Sequence, residues 1–191
     1  MGDDYTGPIT VVADDGSERV LADINVWGQS ETISEMIKDT DPGDAIPLAS
    51  VSPGALNKAI EYMEKMAAFK AEGTSDEDKN AWIGDYKKTM KAQDQLPLLF
   101  QTMTAANFMN VKTLLDELCQ FVAEMIAQRT PNEILDFFNI KKDATWEEEQ
   151  ELIAAHEWID PEGLIAKDRE KRLAEKAKET MVDTPVVGTG K

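Results

Sequence analysis

The chain is poor in the residues from which most enzymes and metal centres are built. Among its 191 residues there is one cysteine, Cys119, and one histidine, His156. A lone cysteine rules out an internal disulfide, and one histidine and one cysteine in separate helical segments give neither a zinc ligand set nor a nucleophile with its base. The only "GTG" stands at residues 188–190, where no strand-to-helix phosphate loop can form around it. Long apolar runs are missing too. There is no stretch of about 18 apolar residues and no charged-then-apolar leader, so we expect a soluble protein of nucleus and cytoplasm. Positive charge is scarce, with 20 basic against 37 acidic residues and a net charge of −17. Such a surface repels phosphate backbones and anionic lipid headgroups, and neither nucleic acid nor membrane is expected as a partner. No metal or cofactor is expected.

What is present is enough apolar material for a core, 42% of residues, in a length that suits one ordinary domain with accessory segments. The charge is uneven. Residues 161–191 carry seven basic and six acidic residues, a net of +1, which leaves −18 on residues 1–160. We therefore separate a tail from the body. At the other end, "MGDDYT" meets the short Gly2 myristoylation pattern. Acidic residues follow Gly2 directly, and one acyl chain holds an anionic protein to a membrane poorly. Residues 1–7 are read as a flexible leader.

"ITVVADDGSERVLAD" places two Val/Ile/Leu-rich runs around Asp14, Asp15 and Gly16, the pattern of a hairpin. "SETISEMIKD" predicts a helix capped by Ser30, and Ile46 to Leu48 a third short strand. Between them Asp39, Asp41 and Asp44 lack the closing glutamate of a calcium loop, and are read as a solvated turn. Ser52 followed by Pro53 starts a helix over about 52–67. "KAEGTSDEDKN" reads as a polar linker and "AWIGDYKKTMKAQ" as a helix weakened by Gly84. Two strongly apolar helices are predicted over about 95–107 and 111–127.

The second of these can be mapped by angle. Phe121, Leu114, Met125, Leu118, Val111, Val122, Leu115, Ile126 and Cys119 sweep roughly 160° at about 100° per residue, wider than the stripe one core requires. One edge (Leu114, Leu118, Phe121, Met125) can serve the domain body while the other (Leu115, Cys119, Val122, Ile126) faces something else. A central helix buried on two sides fits the same arc.

"RTPNEILDFFNIKKDATWEEEQELIAAHEW" adds weight to the first reading. Thr130, Pro131 and Glu133 form a capping box with proline at the first helical position, and Thr145 with Glu148 forms a second. Helices this short are marginal in water. Yet the segment carries Ile134, Leu135, Phe137, Phe138, Ile140, Trp146, Leu152, Ile153 and Trp158, more apolar faces than a small domain readily hides. A partner that completes the layer is the economical answer. The run Glu147 to Glu149 sits in a first helical turn, where carboxylates favour the positive end of the helix dipole. It needs no catalytic role. His156 is read as a partly exposed structural residue, and Cys119 as a small core or interface residue.

The order of hairpin, helix, "IPL" strand and helix, followed by "AANFMNVKTLLDELCQFVAEMI", "TPNEI", "FNIK", a glutamate-rich helix start and "HEW", resembles the Skp family, the adaptor subunits of SCF cullin-type ubiquitin ligases. The resemblance covers about residues 8–159 and is most specific from Ala105 to Trp158. It implies an α/β architecture, a BTB/POZ-type domain over 8–127 followed by a C-terminal helical extension over 128–159; residues 160–191 extend beyond the family's usual end as a charged helical or flexible tail. It also implies a non-catalytic adaptor whose partners are F-box proteins and a cullin. Carried over by position, the F-box side includes Leu115, Cys119, Val122, Ile126, Phe138, Ile140 and Trp158; the cullin side includes Asn107 and Phe108. Phe108 stands where the family usually has tyrosine, which removes a hydroxyl from the cullin contact. Pro97 lies at or ahead of the start of the helix leading there, and Trp146 replaces a usually acidic residue. The tail's "LIAKDREKRLAEKAKET" predicts a solvated helix before a flexible "VVGTGK" end. The alternative is a self-assembling structural or scaffold protein, a homodimer using the same fold outside the ligase.

Overall fold

The tight turn at Asp15–Gly16 starts the structure. Gly16 adopts a left-handed φ of +84°, a conformation glycine takes without steric cost, and its N–H donates to the Ala13 carbonyl at 3.0 Å. Asp15 accepts from the Ser17 N–H at 2.8 Å, and hydrogen bonding by Ser17 holds the Asp15 carboxyl below its ordinary range. On either side run β1 (Ile9–Val12) and β2 (Glu18–Leu21), paired antiparallel. The computed structural model describes residues 5–41, 43–127, 129–141 and 145–156, together with residues 158, 163, 167, 170, 171, 173 and 174. The lipidation pattern at Gly2 and the "VVGTGK" end lie outside the described residues. Lys167, Glu170, Lys171, Leu173 and Ala174 are helical. Residues 5–7, expected within a flexible leader, are tied down: the Trp27 indole donates to the Gly7 carbonyl at 3.0 Å, and the Ile24 N–H to the Thr6 carbonyl at 3.2 Å.

The chain divides into two compact units, Met1–Ala123 and Glu124–Lys191. In the first, a short helix α1 (Ile24–Trp27), capped by Asp23, precedes α2 (Glu31–Met36), capped by Ser30. Sequence reading missed α1, whose single turn shows no periodicity. β3 (Ile46–Pro47) then joins β1 in parallel, giving the order β2-β1-β3. Val11, Leu21, Ile46, Leu48 and Val51 from this sheet and its flanks are fully buried, and helix α3 (Pro53–Glu72) adds Ala55, Leu56, Ala59, Ile60, Tyr62 and Met63 to the core. Ser52 holds the N-cap position of α3 without a side-chain cap; its hydroxyl donates instead to Gln101 at 3.1 Å.

The expected linker is mostly helix. α3 continues to Glu72 and only three residues separate it from α4 (Asp76–Lys88). Gly73, at φ +64°, ends α3 in the left-handed conformation that stops helices, and Ser75 caps α4 by accepting from the Asp78 N–H at 3.2 Å. Aromatic packing supports the hairpin: Trp82 stacks on Tyr86 at 5.2 Å and meets Phe69 edge-on at 6.1 Å. Such pairs add about 0.5–1.5 kcal/mol each beyond their burial, enough to override the weak local propensity of a polar stretch. α4 runs straight through Gly84.

α5 (Leu96–Phe108) accepts Pro97 in its first turn, where the missing N–H costs nothing, and packs along α3. α6 (Lys112–Ile126) follows. Beyond it, α7 (Pro131–Phe137) and α8 (Trp146–Ala155) both start with the expected capping boxes. None of the described helices is long and apolar enough to cross a membrane.

Candidate functional site

α6 presents two unlike edges. Leu114 and Leu118 are fully buried and Phe121 nearly so. A turn away, Leu115, Val122 and Ile126 are half-exposed and Cys119 is exposed. Met125, expected on the core edge, is only half-buried, because it stands in the last turn of the helix. Cys119 belongs to the surface rather than the core. The buried edge is held from α4: Lys87 pairs with Glu117 at 2.9 Å and lies 6.0 Å above the Phe121 ring. Lys87 is largely enclosed, so this pair resists rotation of α6 more firmly than a surface ion pair does. Burial raises the Tyr62 phenol on α3 above its ordinary range.

The second unit displays apolar side chains of its own. Thr130 accepts from the Glu133 N–H at 3.3 Å while Glu133 accepts from the Thr130 N–H at 2.9 Å, fixing the start of α7. The Arg129 guanidinium lies 4.2 Å from the centre of the Phe137 ring, and Phe137 meets Phe138 edge-on at 5.0 Å. Asn139, at φ +53°, turns the chain so that Ile140 projects with 53% of its surface exposed. Leu152 on α8 is exposed, and Trp158 is 78% exposed. Leaving an indole in water forgoes about 25 cal/mol for each Å² that could be buried, so the ring is placed for something other than this unit's core. His156 is exposed, its ring 6.4 Å from that of Trp158. The backbone of Trp146 is helical.

A third surface lies at the end of α5. Asn107 is exposed and Phe108 half-buried. The helix stops because Asn110 takes a left-handed φ of +53°, which asparagine tolerates better than most residues, and the Val111 N–H returns to the Ala106 carbonyl at 2.8 Å. Across from this end stands the first turn of α2. The Thr32 hydroxyl donates to the Phe108 carbonyl at 2.9 Å and the Ser30 hydroxyl to the Met109 carbonyl at 2.5 Å.

Sequence reading missed Phe100, an aromatic on α5 with an exposed ring. The signal was there: Leu96, Leu99, Thr102, Ala105 and Ala106 mark the buried side of α5, and at about 100° per residue Phe100 falls outside it, with Thr104 and Asn107. Among the described residues, no group of three or more His, Cys, Asp or Glu is arranged to hold a metal ion. What the three surfaces expose is apolar side chains and hydrogen-bonding groups.

Comparison with known proteins agrees with that chemistry. A family model described as "Skp1 family, tetramerisation domain" matches residues 9–67, and one described as "Skp1 family, dimerisation domain" matches residues 112–159. The chain is 42% identical over 138 residues to SKP1-like protein 1A of Arabidopsis thaliana, covering 68% of this chain and 83% of that protein. It is 38% identical over 138 residues to the SCF ubiquitin ligase complex protein SKP1b of Dictyostelium discoideum, covering 70% and 85%. With the E3 ubiquitin ligase complex SCF subunit sconC of Arthroderma otae it shares 35% identity over 161 residues, covering 81% and 96%. The three-stranded sheet with packed helices is the POZ domain of the first match, helices α6 to α8 fall in the second, and the chain belongs to the Skp1 family.

Proposed function

We propose that this protein is the non-catalytic adaptor of an SCF-type ubiquitin ligase, joining F-box substrate receptors to a cullin scaffold. Family membership and the names of relatives as SCF complex subunits support the adaptor role. The observation that carries the F-box assignment is the divided face of α6, with Leu115, Cys119, Val122 and Ile126 open to solvent while Leu114 and Leu118 are buried. Phe138, Ile140 and Trp158 supply further apolar surface from the extension. The F-box is the partner we assign to both. Asn107 and Phe108, at the end of α5, are assigned to the cullin, with the phenyl ring making its contact through packing alone.

The mechanism in this reading is placement. An adaptor that binds receptor and cullin together raises the effective concentration of receptor-bound substrate at the ligase's catalytic end, and the ordered helical framework limits the positions the substrate can occupy. Residence in nucleus and cytoplasm is part of the same proposal and is checked by imaging a fluorescent fusion.

Light scattering on the eluting protein, alone and mixed with separately purified F-box and cullin N-terminal domains, tests the assignment. A stable three-part complex is the expected result. A homo-oligomer that ignores both domains would move the function to scaffolding.

A further inference from the structure

We infer that the first turn of α2, Ser30 to Thr32, is a positioning clamp for Asn107 and Phe108, acting on them through the backbone at the end of α5. The inference rests on the proposal that this end meets a cullin. Helix C-termini leave four carbonyls without intrahelical partners and tend to fray. Here two carbonyls at the α5 terminus are taken by side chains from 76 and 79 residues earlier: Thr32 donates to Phe108, and Ser30 to Met109. Ser30 is fully buried, and its hydroxyl oxygen also accepts from the Ile33 N–H at 3.1 Å. One side chain thus caps the start of α2 and ties the end of α5, so the two termini are registered against each other. The Thr32 N–H adds a longer bond to the Met109 carbonyl, at 3.4 Å.

Glu31 completes the grip from the far side of the turn. Its carboxylate accepts from the Asn110 side-chain amide and pairs with Lys112 at 2.5 Å. Asn110 is itself the left-handed residue that ends α5, and Lys112 stands two residues beyond it at the start of α6. The Lys112 pair is exposed and weak by itself, but it joins the same turn that Ser30 and Thr32 hold from the other end.

The consequence concerns binding because Asn107 and Phe108 sit on the last turn of α5. If that turn frays, the two side chains spread over many positions, and a partner must order them on contact at an entropic cost. The clamp removes this cost beforehand. Thr32 and Ser30 need not touch the partner; they are positioning residues.

The test compares Thr32→Val, which deletes the donor to Phe108 with little change of shape, with Thr32→Ser, which keeps it, and Asn107→Asp, which changes the contact residue directly. Thr32→Val is expected to speed amide exchange at Asn110 and Val111 and to weaken binding of a cullin N-terminal domain about three- to tenfold, the range for one lost hydrogen bond. F-box affinity should hold, and Thr32→Ser should restore both signals. Unchanged cullin affinity in Thr32→Val, with Asn107→Asp weakened, overturns the clamp and leaves the cullin assignment standing. Equal losses for F-box and cullin overturn it as general structural damage. If the unaltered protein ignores the cullin domain, or Asn107→Asp leaves binding unchanged, the cullin assignment fails and takes the clamp with it.

Discussion

The phenol of Tyr86 on α4 donates to the Lys58 carbonyl on α3 at 2.8 Å, inside a cluster where Trp82 and Tyr62 flank its ring. Burial raises its pKa far above the ordinary tyrosine value of 10.0, with Glu61 and Tyr62 adding to the shift. The folded state therefore keeps this proton when the unfolded chain would lose it. Stability from this group is complete below about pH 10 and falls as pH rises further. Tyr86→Phe should cost about 0.5–1.5 kcal/mol at neutral pH and should flatten the alkaline loss, both read from urea unfolding at pH 7 and above pH 10. An equal alkaline loss in the variant would place its source elsewhere.

Gly84 is a second handle on the same helix. A Cβ built there meets nothing within 4 Å, and its φ is not positive. Gly84→Ala should raise stability by about 0.5–1 kcal/mol through helix propensity and a less flexible unfolded chain, seen as a higher unfolding midpoint. A fall would mean that the neighbouring side chains cannot tolerate the methyl.

The two edges of α6 should separate in mutation. Leu118→Ala removes a fully buried side chain and is expected to cost about 2–5 kcal/mol of stability. Leu115→Ala on the open edge should cost much less in unfolding while weakening F-box binding in a pull-down or titration. Loss of stability without loss of binding at Leu115 would argue against the F-box assignment.

Trp158 tests the F-box assignment of the second unit separately. Because most of the ring is exposed, Trp158→Ala should leave the melting temperature unchanged yet lower F-box affinity by about 2 kcal/mol, as a central aromatic anchor does. Unchanged affinity by calorimetry would remove Trp158 from the interface.

Glu148 gives the start of α8 a pH dependence. Hydrogen bonds from the Thr145 backbone and then its hydroxyl hold the carboxyl below its ordinary value of 4.5. A depressed carboxylate contributes its stabilisation above the unfolded pKa and loses it as pH falls through the folded one. Helicity in α8 should decline at acid pH and do so less steeply in Glu148→Gln, as followed by carbon chemical shifts of the helix. Identical profiles would show that the box is not what holds this terminus.

Features written within three or four residues were legible in the sequence. The Asp14–Gly16 turn, the Ser30 cap and both boxes, at Thr130 and Thr145, appear where their side chains predicted them, since the groups that satisfy the backbone are neighbours in the chain. The angular map of α6 separated Leu114 and Leu118 from Leu115 and Cys119 for a similar reason: helical geometry is regular. What depended on distant partners was not visible. Nothing near Ser52 announces that Gln101 will receive its hydroxyl, and nothing near Thr32 points to Phe108. The stretch "KAEGTSDEDKN" looked unstructured because the Phe69–Trp82 contact that supports it bridges two helices.

The sheet order β2-β1-β3 sets the sequence of events during synthesis. Of these three strands the earliest in the chain ends up in the middle, so β1 and β2 can close as a hairpin within about 1–10 microseconds, while the other side of β1 stays unpaired until Ile46 and Pro47 follow. A two-stranded hairpin is marginal in water, and its bare inner edge is a template for any passing strand. This sheet is thus open to mispairing after β1 and β2 have closed, and it leaves that window when β3 docks on β1.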